Sequence, residues 1–251
     1  MAQFSNPIYS HEHSLEVLNL LYNYDDFFDN LQVIADMGCG AGLDSQWWAT
    51  LTTRDDPPEP HNYLVYAVDQ NVRQIEPEIA KLENISVIEG DFEERVIPRN
   101  VDLIWAHDSF QYAKNPLKCL ATWKATLNVN GMMIMAIPQT TYWDHNRSQL
   151  IVSNHSNQYY SYNLLNLMYM LAISGFDCRD AYFYRKENSP WLYACVYASE
   201  HGPLPGATWY DLADRNLIND SIINSVNRYG YARLEDTVVV WLDKDFYQIT
   251  N

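Results

Sequence analysis

The stretch "VIADMGCGAGLDS", Val33 to Ser45, decides the fold. An apolar run ends at Met37 and leads into three glycines at every second position, Gly38, Gly40 and Gly42. Glycine lets backbone take left-handed conformations and come close to a ligand with no Cβ in the way. The following "LDSQWWATL" reads as a helix, so the segment is a strand, a glycine turn and a helix start. A helix start presents unpaired N–H groups, an arrangement suited to anions and nucleotides. A dinucleotide site is expected to read G-x-G-x-x-G, but the sixth residue here is Leu43 and the pattern is G-x-G-x-G. Asp36, two residues before Gly38, brings a carboxylate that suits an ammonium or sulfonium group better than a pyrophosphate. A dehydrogenase is therefore a poor reading.

Strands and helices alternate outward from this turn. Upstream, Leu15, Leu18, Leu21 and Tyr22 predict an amphipathic helix over Ser14 to Phe28, with Ser14 as its N-cap. Downstream, "TTRDDPPEPHN" is a proline-rich loop, "YLVYAVD" a strand and "NVRQIEPEIAKL" a short helix. "ISVIEGD" and "VDLIWAHD" are two further strands, "PLKCLATWKATL" a helix and "GMMIMAIP" the fifth strand. Residues 139–158 read as a loop and "YSYNLLNLMYMLAISG" as a helix closed by Gly175. "CRDAYFYRK" and "WLYACVYAS", separated by "ENSP", read as a β-hairpin. Most of these strands are continuous apolar runs, the mark of a parallel sheet covered on both faces. The fold class is α/β: a Rossmann-like, doubly wound, mostly parallel seven-stranded sheet ending in an antiparallel hairpin.

Residues 1–32 are expected to cover the core domain, 33–199, and residues 200–251 to form a helix–strand extension. In that extension "WYDLADRNLINDSIINSVNRYG" reads as one helix and "TVVVWLD" as a last strand. Leu217, Ile218, Ile222, Val226 and Tyr229 form a stripe that needs an apolar support. Its own domain, a substrate lid or a second copy in a homodimer would each supply one.

The 251 residues carry a formal net charge of −16, with 16 basic against 32 acidic side chains. Polyphosphate binding uses a clustered basic face, so nucleic acid and anionic membrane surfaces are poor partners. No run approaches a membrane span. The start of the chain has neither the basic nor the apolar region of a signal peptide. The four cysteines lack metal or C-x-x-C spacing, which fits a reduced, cytoplasmic protein with no bound metal.

The chain resembles the class I methyltransferases that use S-adenosylmethionine. The first motif of that family is written E/D-x-G-x-G-x-G, and "DMGCGAG" meets it at every defined position, from Asp36 to Gly42. The resemblance runs from about Val33 to Ser199, making 33–199 the cofactor-binding domain. It implies that Gly38, Cys39, Gly40 and Gly42 approach the amino-acid part of the cofactor, and that Asp36 holds its ammonium. Asp69, ending the second strand, would accept from the ribose hydroxyls, with Gln70 beside the adenosine. Asp69 lies 69 − 36 = 33 residues after Asp36, and the proline-rich loop accounts for the extra length. Asp91 would accept from the adenine amino group, with Phe92 packing near the ring. His107 and Asp108 end the fourth strand, where ligands of such sheets gather, and the resemblance implies a contact of His107 with the cofactor.

The acceptor leaves a fainter trace, because methyl transfer needs alignment and exclusion of water more than it needs a dedicated base. Enzymes acting on nucleic-acid amino groups typically carry D/N-P-P-Y/F after the fourth strand, where this chain reads "HDSFQY". The Pro-Cys pair of the cytosine-C5 enzymes is missing there too. The small-molecule branch is the better match, and its amine N-methyltransferases carry a comparable acidic and aromatic turn. "LNVNG" departs from that branch's L-x-P-G-G turn, although Asn130 can supply the left-handed conformation. His107, Asp108 and Tyr112 are the catalytic candidates. Tyr9, Tyr142, Trp143, Tyr159 and Tyr160 are candidates for the rim of an amine cage, and His11, His13 and His145 for bases. Two other activities fit the same cofactor motifs: a catalytically silent, cofactor-binding partner subunit, and aminopropyl transfer from the decarboxylated cofactor.

Overall fold

The computed structural model describes residues 12–22, 28, 30–53, 57, 59–139, 141–144, 149–152, 159–160, 162–185 and 191–241. Its elements follow in chain order as α1 (Glu12–Tyr22), β1 (Val33–Met37), α2 (Leu43–Ala49), β2 (Leu64–Asp69), β3 (Ile85–Glu89) and β4 (Val101–His107). Then come α3 (Pro116–Thr126), β5 (Leu127–Pro138), β6 (Thr141–Asp144), β7 (Gln149–Val152) and α4 (Leu164–Ile173). The last are β8 (Phe176–Arg185), β9 (Trp191–Ala198), α5 (Trp209–Ala213), α6 (Asp220–Tyr229) and β10 (Val240–Trp241).

The main sheet has the order β10-β8-β9-β5-β4-β1-β2-β3. Strands β3, β2, β1, β4 and β5 run parallel, and β9 is antiparallel to both β5 and β8. Seven of these strands are the ones read for the core domain, and the last strand read in the extension, here the two residues of β10, joins the same sheet as an eighth, parallel to β8. From β1 the chain moves to β2 on one side, and from β4 to β5 on the other. The crevice above the carboxyl ends of β1 and β4 is thus the topological switch point, where open α/β sheets bind their ligands.

Two apolar layers hold the sheet. On one face Val17, Leu18, Trp47, Trp48 and Trp105 pack together under α1 and α2. On the other, Leu120, Trp123, Leu167 and Leu171 pack under α3 and α4. Every residue of β1 is buried, as expected of a strand covered on both sides.

Several elements differ from the sequence reading. "NVRQIEPEIAKL" forms only two 3-10 turns, Val72–Gln74 and Ile79–Lys81. Pro77 lies between them, and proline both lacks an N–H and turns the preceding residue away from helix. The first helix begins at Glu12, so Ser14 is inside it, fully buried, and not its cap. The expected loop at 139–158 contains the hairpin β6–β7, built from the strand-forming residues of "TYW" and "LIV". The single helix expected after residue 208 is two, α5 and α6. Asn216 takes φ 54 between them, and the Asn219 side chain caps the second by accepting from Ser221 N–H. Leu212, Leu217, Ile218 and Ile222 are buried in the same apolar layer as α3 and α4, so this part of the extension rests on its own domain. Asn130 adopts φ 62, the left-handed value its turn requires.

Candidate active site

The turn between β1 and α2 has all three glycines in the left-handed region, at φ 82, 54 and 85 for Gly38, Gly40 and Gly42. They serve different purposes. A Cβ on Gly38 would lie 2.5 Å from Ser109 Cβ, and one on Gly42 would lie 3.2 Å from methyls of Ile75 and Ile79. These two positions let the turn pack against the protein. Among the described residues a Cβ on Gly40 would meet nothing within 4 Å, so that glycine faces open space there. The turn is tied to β2: the N–H groups of Gly38 and Cys39 donate to Val68 O at 2.8 and 3.0 Å.

Carboxylates surround the turn. Asp36 is buried, and its Oδ2 accepts from Ser45 Oγ at 2.6 Å, which joins the end of β1 to the first turn of α2. Asp69 ends β2; its Oδ2 accepts from Gly40 N–H at 3.0 Å and its Oδ1 from Asn71 N–H at 2.8 Å. The Asp69 carboxylate thereby sets the height of Gly40. Two N–H bonds leave capacity unused, since a carboxylate has about four lone-pair sites. Asp91 follows β3, accepts from Glu93 N–H and is half-buried. Gln70 is exposed beside Asp69.

Two expected contacts find their side chains committed elsewhere. The Cys39 side chain belongs to the apolar layer under α1 and α2, where burial, and after it Asp36 and Asp69, push the thiol's pKa up. Its N–H is used by Val68 O of β2 and its C=O, inside the turn, by Gly42 N–H. Phe92 is a core residue: its ring packs against Trp123 with centroids 6.0 Å apart, and its carbonyl accepts from Trp123 Nε1–H.

His107, Asp108 and Tyr112 are brought together at the end of β4. The registers Asp36↔Trp105 and His107↔Ala136 put His107 two residues beyond Trp105, on the sheet face that carries Asp36. The His107 ring is half-buried among Trp105, Trp191 and Tyr193, at centroid distances of 6.1, 5.1 and 6.0 Å. Asp108 is exposed with φ 53, a strained value for a residue with a Cβ, and accepts from Gln111 Nε2. Tyr112 lies in the 3-10 turn that follows and is 36 % exposed. Tyr159 and Tyr160 join this corner: Tyr159 N–H donates to Gln111 O, and Tyr160 Oη–H to Lys114 O. Tyr9, His11 and His145, and the side chains of His13, Tyr142 and Trp143, lie outside the described residues.

Residues the sequence did not single out complete the site. Ser109 is buried against Gly38, and its Oγ has no hydrogen-bond partner among the described residues. Gln111 is fully buried, and its Oε1 likewise lacks a partner. Both stand within the quoted "HDSFQY", but only packing shows that they point inward. Ser45 closes the quoted glycine stretch, where nothing local marks it as the partner of Asp36, and Trp191 and Tyr193 come from distant segments.

The methyltransferase domain family matches residues 28–182, more than half of the chain. No curated protein matches its sequence. Among solved structures, the StiE O-MT segment 961–1257 superposes with a TM-score of 0.54 at 12 % identity, covering 81 % of this chain and 79 % of that one. The N-methyltransferase NodS of Bradyrhizobium japonicum gives 0.53 at 13 % identity, covering 78 % and 99 %. An S-adenosylmethionine-dependent methyltransferase of Clostridium acetobutylicum gives 0.52 at 14 % identity, covering 72 % and 89 %. At such identities the likeness speaks for the fold, which oxygen- and nitrogen-directed enzymes share. The glycine turn at the switch point and the family match agree: this chain belongs to the methyltransferase domain family, with the Rossmann-like fold of the class I enzymes.

Proposed function

We propose that this enzyme transfers the methyl group of S-adenosylmethionine to a small-molecule amine. The observation that carries the cofactor half is the open space over Gly40, framed by carboxylates at the ends of three adjacent strands. The residues present fit that cofactor. Asp36 and the backbone of the turn would take its ammonium-bearing end, Asp69 the ribose hydroxyls, and Asp91 with Gln70 the adenine side. When bound, it supplies a methyl group on a sulfonium, already activated for in-line displacement. The protein then has to align the acceptor and exclude water. His107, Asp108 and Tyr112 line the adjoining end of β4 and are placed to do this. His107 is the group available to take a proton from the acceptor, and Asp108 the charge that would hold a cation.

The amine half rests on charge and ring chemistry. A net charge of −16 and the carboxylates at this end of the sheet favour a cationic ligand. Exposed Tyr112, Tyr159 and Tyr160 offer faces for an ammonium group. The test is calorimetric titration with S-adenosylmethionine and S-adenosylhomocysteine, with NAD as control and Asp69→Ala alongside. Micromolar binding of a sulfur ligand is expected, weakened about tenfold or more in the variant, as a lost charged hydrogen bond predicts. A folded sample that binds neither ligand, or binds NAD instead, refutes the reading. A screen with methyl-labelled cofactor then separates amines from hydroxyl acceptors, and turnover of hydroxyls alone refutes the amine assignment.

A further inference from the structure

A buried carboxylate joins the loop after β3 to the loop after β4. Glu93 follows β3 and is only 6 % exposed, although glutamate is rarely buried unless its charge is met. Main chain meets it: Oε1 accepts from Lys114 N–H and Oε2 from Asn115 N–H, each at 2.8 Å. Each donor is a main-chain N–H, which fixes the direction of both bonds. Lys114 and Asn115 are exposed residues, so their N–H groups turn inward from a segment that otherwise faces solvent. Bonds from N–H to a carboxylate are among the stronger kind, and here one side chain takes two of them.

The bridge continues in both directions. On the β3 side, Glu93 N–H donates to Asp91 Oδ1 at 2.9 Å, and Phe92 O accepts from Trp123 Nε1–H of α3 at 2.8 Å. On the β4 side, Lys114 O accepts from Tyr160 Oη–H at 3.2 Å, and Gln111 O from Tyr159 N–H at 3.1 Å. Asp91 is thus linked to Tyr160 by way of Glu93 and Lys114. We propose that Glu93 is a positioning residue that couples the two halves of the site: the loop assigned to the cofactor's adenine also sets the place of Tyr112 and Tyr160 at the acceptor rim. Being buried, Glu93 acts through Asp91 on one side and through residues 110–115 on the other. The ligands at the two ends rest on the methyl-transfer reading; the bridge itself does not. Coupling between two sites is reciprocal, so a cofactor that steadies Asp91 also steadies the acceptor corner.

Amide hydrogen exchange of the full chain, read by NMR with and without S-adenosylhomocysteine, tests the coupling. Among the described residues the N–H groups of Lys114 and Asn115 have no other acceptor, so they exchange when the bridge opens. Opening that also displaces Asp91 is opposed by bound ligand, which at a hundred times its Kd should slow this exchange by up to about a hundredfold. In Glu93→Gln an amide nitrogen replaces one acceptor. Exchange at the two positions should then rise about tenfold to a hundredfold and no longer respond to ligand. A brace with a structural role alone would lose protection in the variant yet show no ligand dependence in the wild type. Fluorine NMR of 3-fluorotyrosine-labelled protein, with the Tyr160 signal assigned by Tyr160→Phe, reads the outer link: ligand should shift it in the wild type and not in Glu93→Gln. Melting curves show whether the variant folds, and the wild-type exchange comparison stands without it. Weaker ligand binding by a folded Glu93→Gln supports the inference, since coupling is reciprocal. Wild-type exchange that ignores bound ligand overturns it and leaves the proposed function standing, as does a Tyr160 signal that moves equally in both proteins. A folded wild type that does not bind S-adenosylhomocysteine overturns both.

Discussion

Replacing Gly38 by alanine tests the most specific statement the structure makes about the turn. Two costs add. Alanine at φ 82 pays for the left-handed conformation, about 1–2 kcal/mol. Its Cβ would also stand 2.5 Å from Ser109 Cβ, an atom fixed to buried backbone and unable to swing aside, so overpacking adds about 1–3 kcal/mol. The sum is about 2–5 kcal/mol, or a fall in Tm of about 4–20 °C for a chain of this size. Gly40→Ala has only the conformational cost, about 1–2 kcal/mol, because its Cβ meets nothing among the described residues. It should instead weaken S-adenosylhomocysteine binding, since the methyl enters the space assigned to the cofactor. Thermal melts of Gly38→Ala, Ser109→Gly and the double variant give the coupling directly. Removing Ser109 Cβ should return the steric part, about 1–3 kcal/mol, in a double-mutant cycle. Additive effects, or a Gly38→Ala no less stable than Gly40→Ala, would refute the close packing of the turn on the residue after β4.

Two further measurements probe the core around the site. Trp105 Nε1–H donates to Asp44 Oδ2 at 2.8 Å with both residues buried, so Trp105→Phe strips a buried carboxylate of a donor. A loss of about 1–3 kcal/mol in urea melts is expected, and less than about 0.5 kcal/mol would show that the bond does not matter. Stability should also fall in alkali. Burial raises the pKa of all four thiols above the ordinary value of 9.0. Above that pH the unfolded chain loses thiol protons that the folded chain keeps. Stability is therefore level below about pH 8.5 and declines above it, by up to about 1.4 kcal/mol per pH unit for each thiol. Denaturation midpoints that stay constant from pH 7 to pH 10 would contradict this.

Much of the architecture was legible because it depends on short-range pattern. Continuous apolar runs between helical segments specify a parallel sheet, and the G-x-G-x-G spacing specifies which turn joins β1 to α2. What misled were competing local rules. Pro77 outweighed the helical pattern of "NVRQIEPEIAKL", and Asn216 with Asn219 broke the helix expected after residue 208. Phe92 and Cys39 stand at positions suited to a ligand, yet their side chains were taken up by the core, which no neighbouring residue announces.

The sequence by itself determined the order of strands, the glycine turn and the carboxylates that end β1 and β2, and those features already name the ligand class. Only the tertiary structure decided that Gly38 serves packing while Gly40 faces open space, since the difference lies in Ser109, 71 residues away along the chain. It likewise decided that Ser14 is a buried partner of Tyr193 and not a helix cap. The physical reason is the same in each case. Periodicity and turn chemistry act between neighbours in the chain, whereas steric contact and the satisfaction of buried polar groups act between neighbours in space.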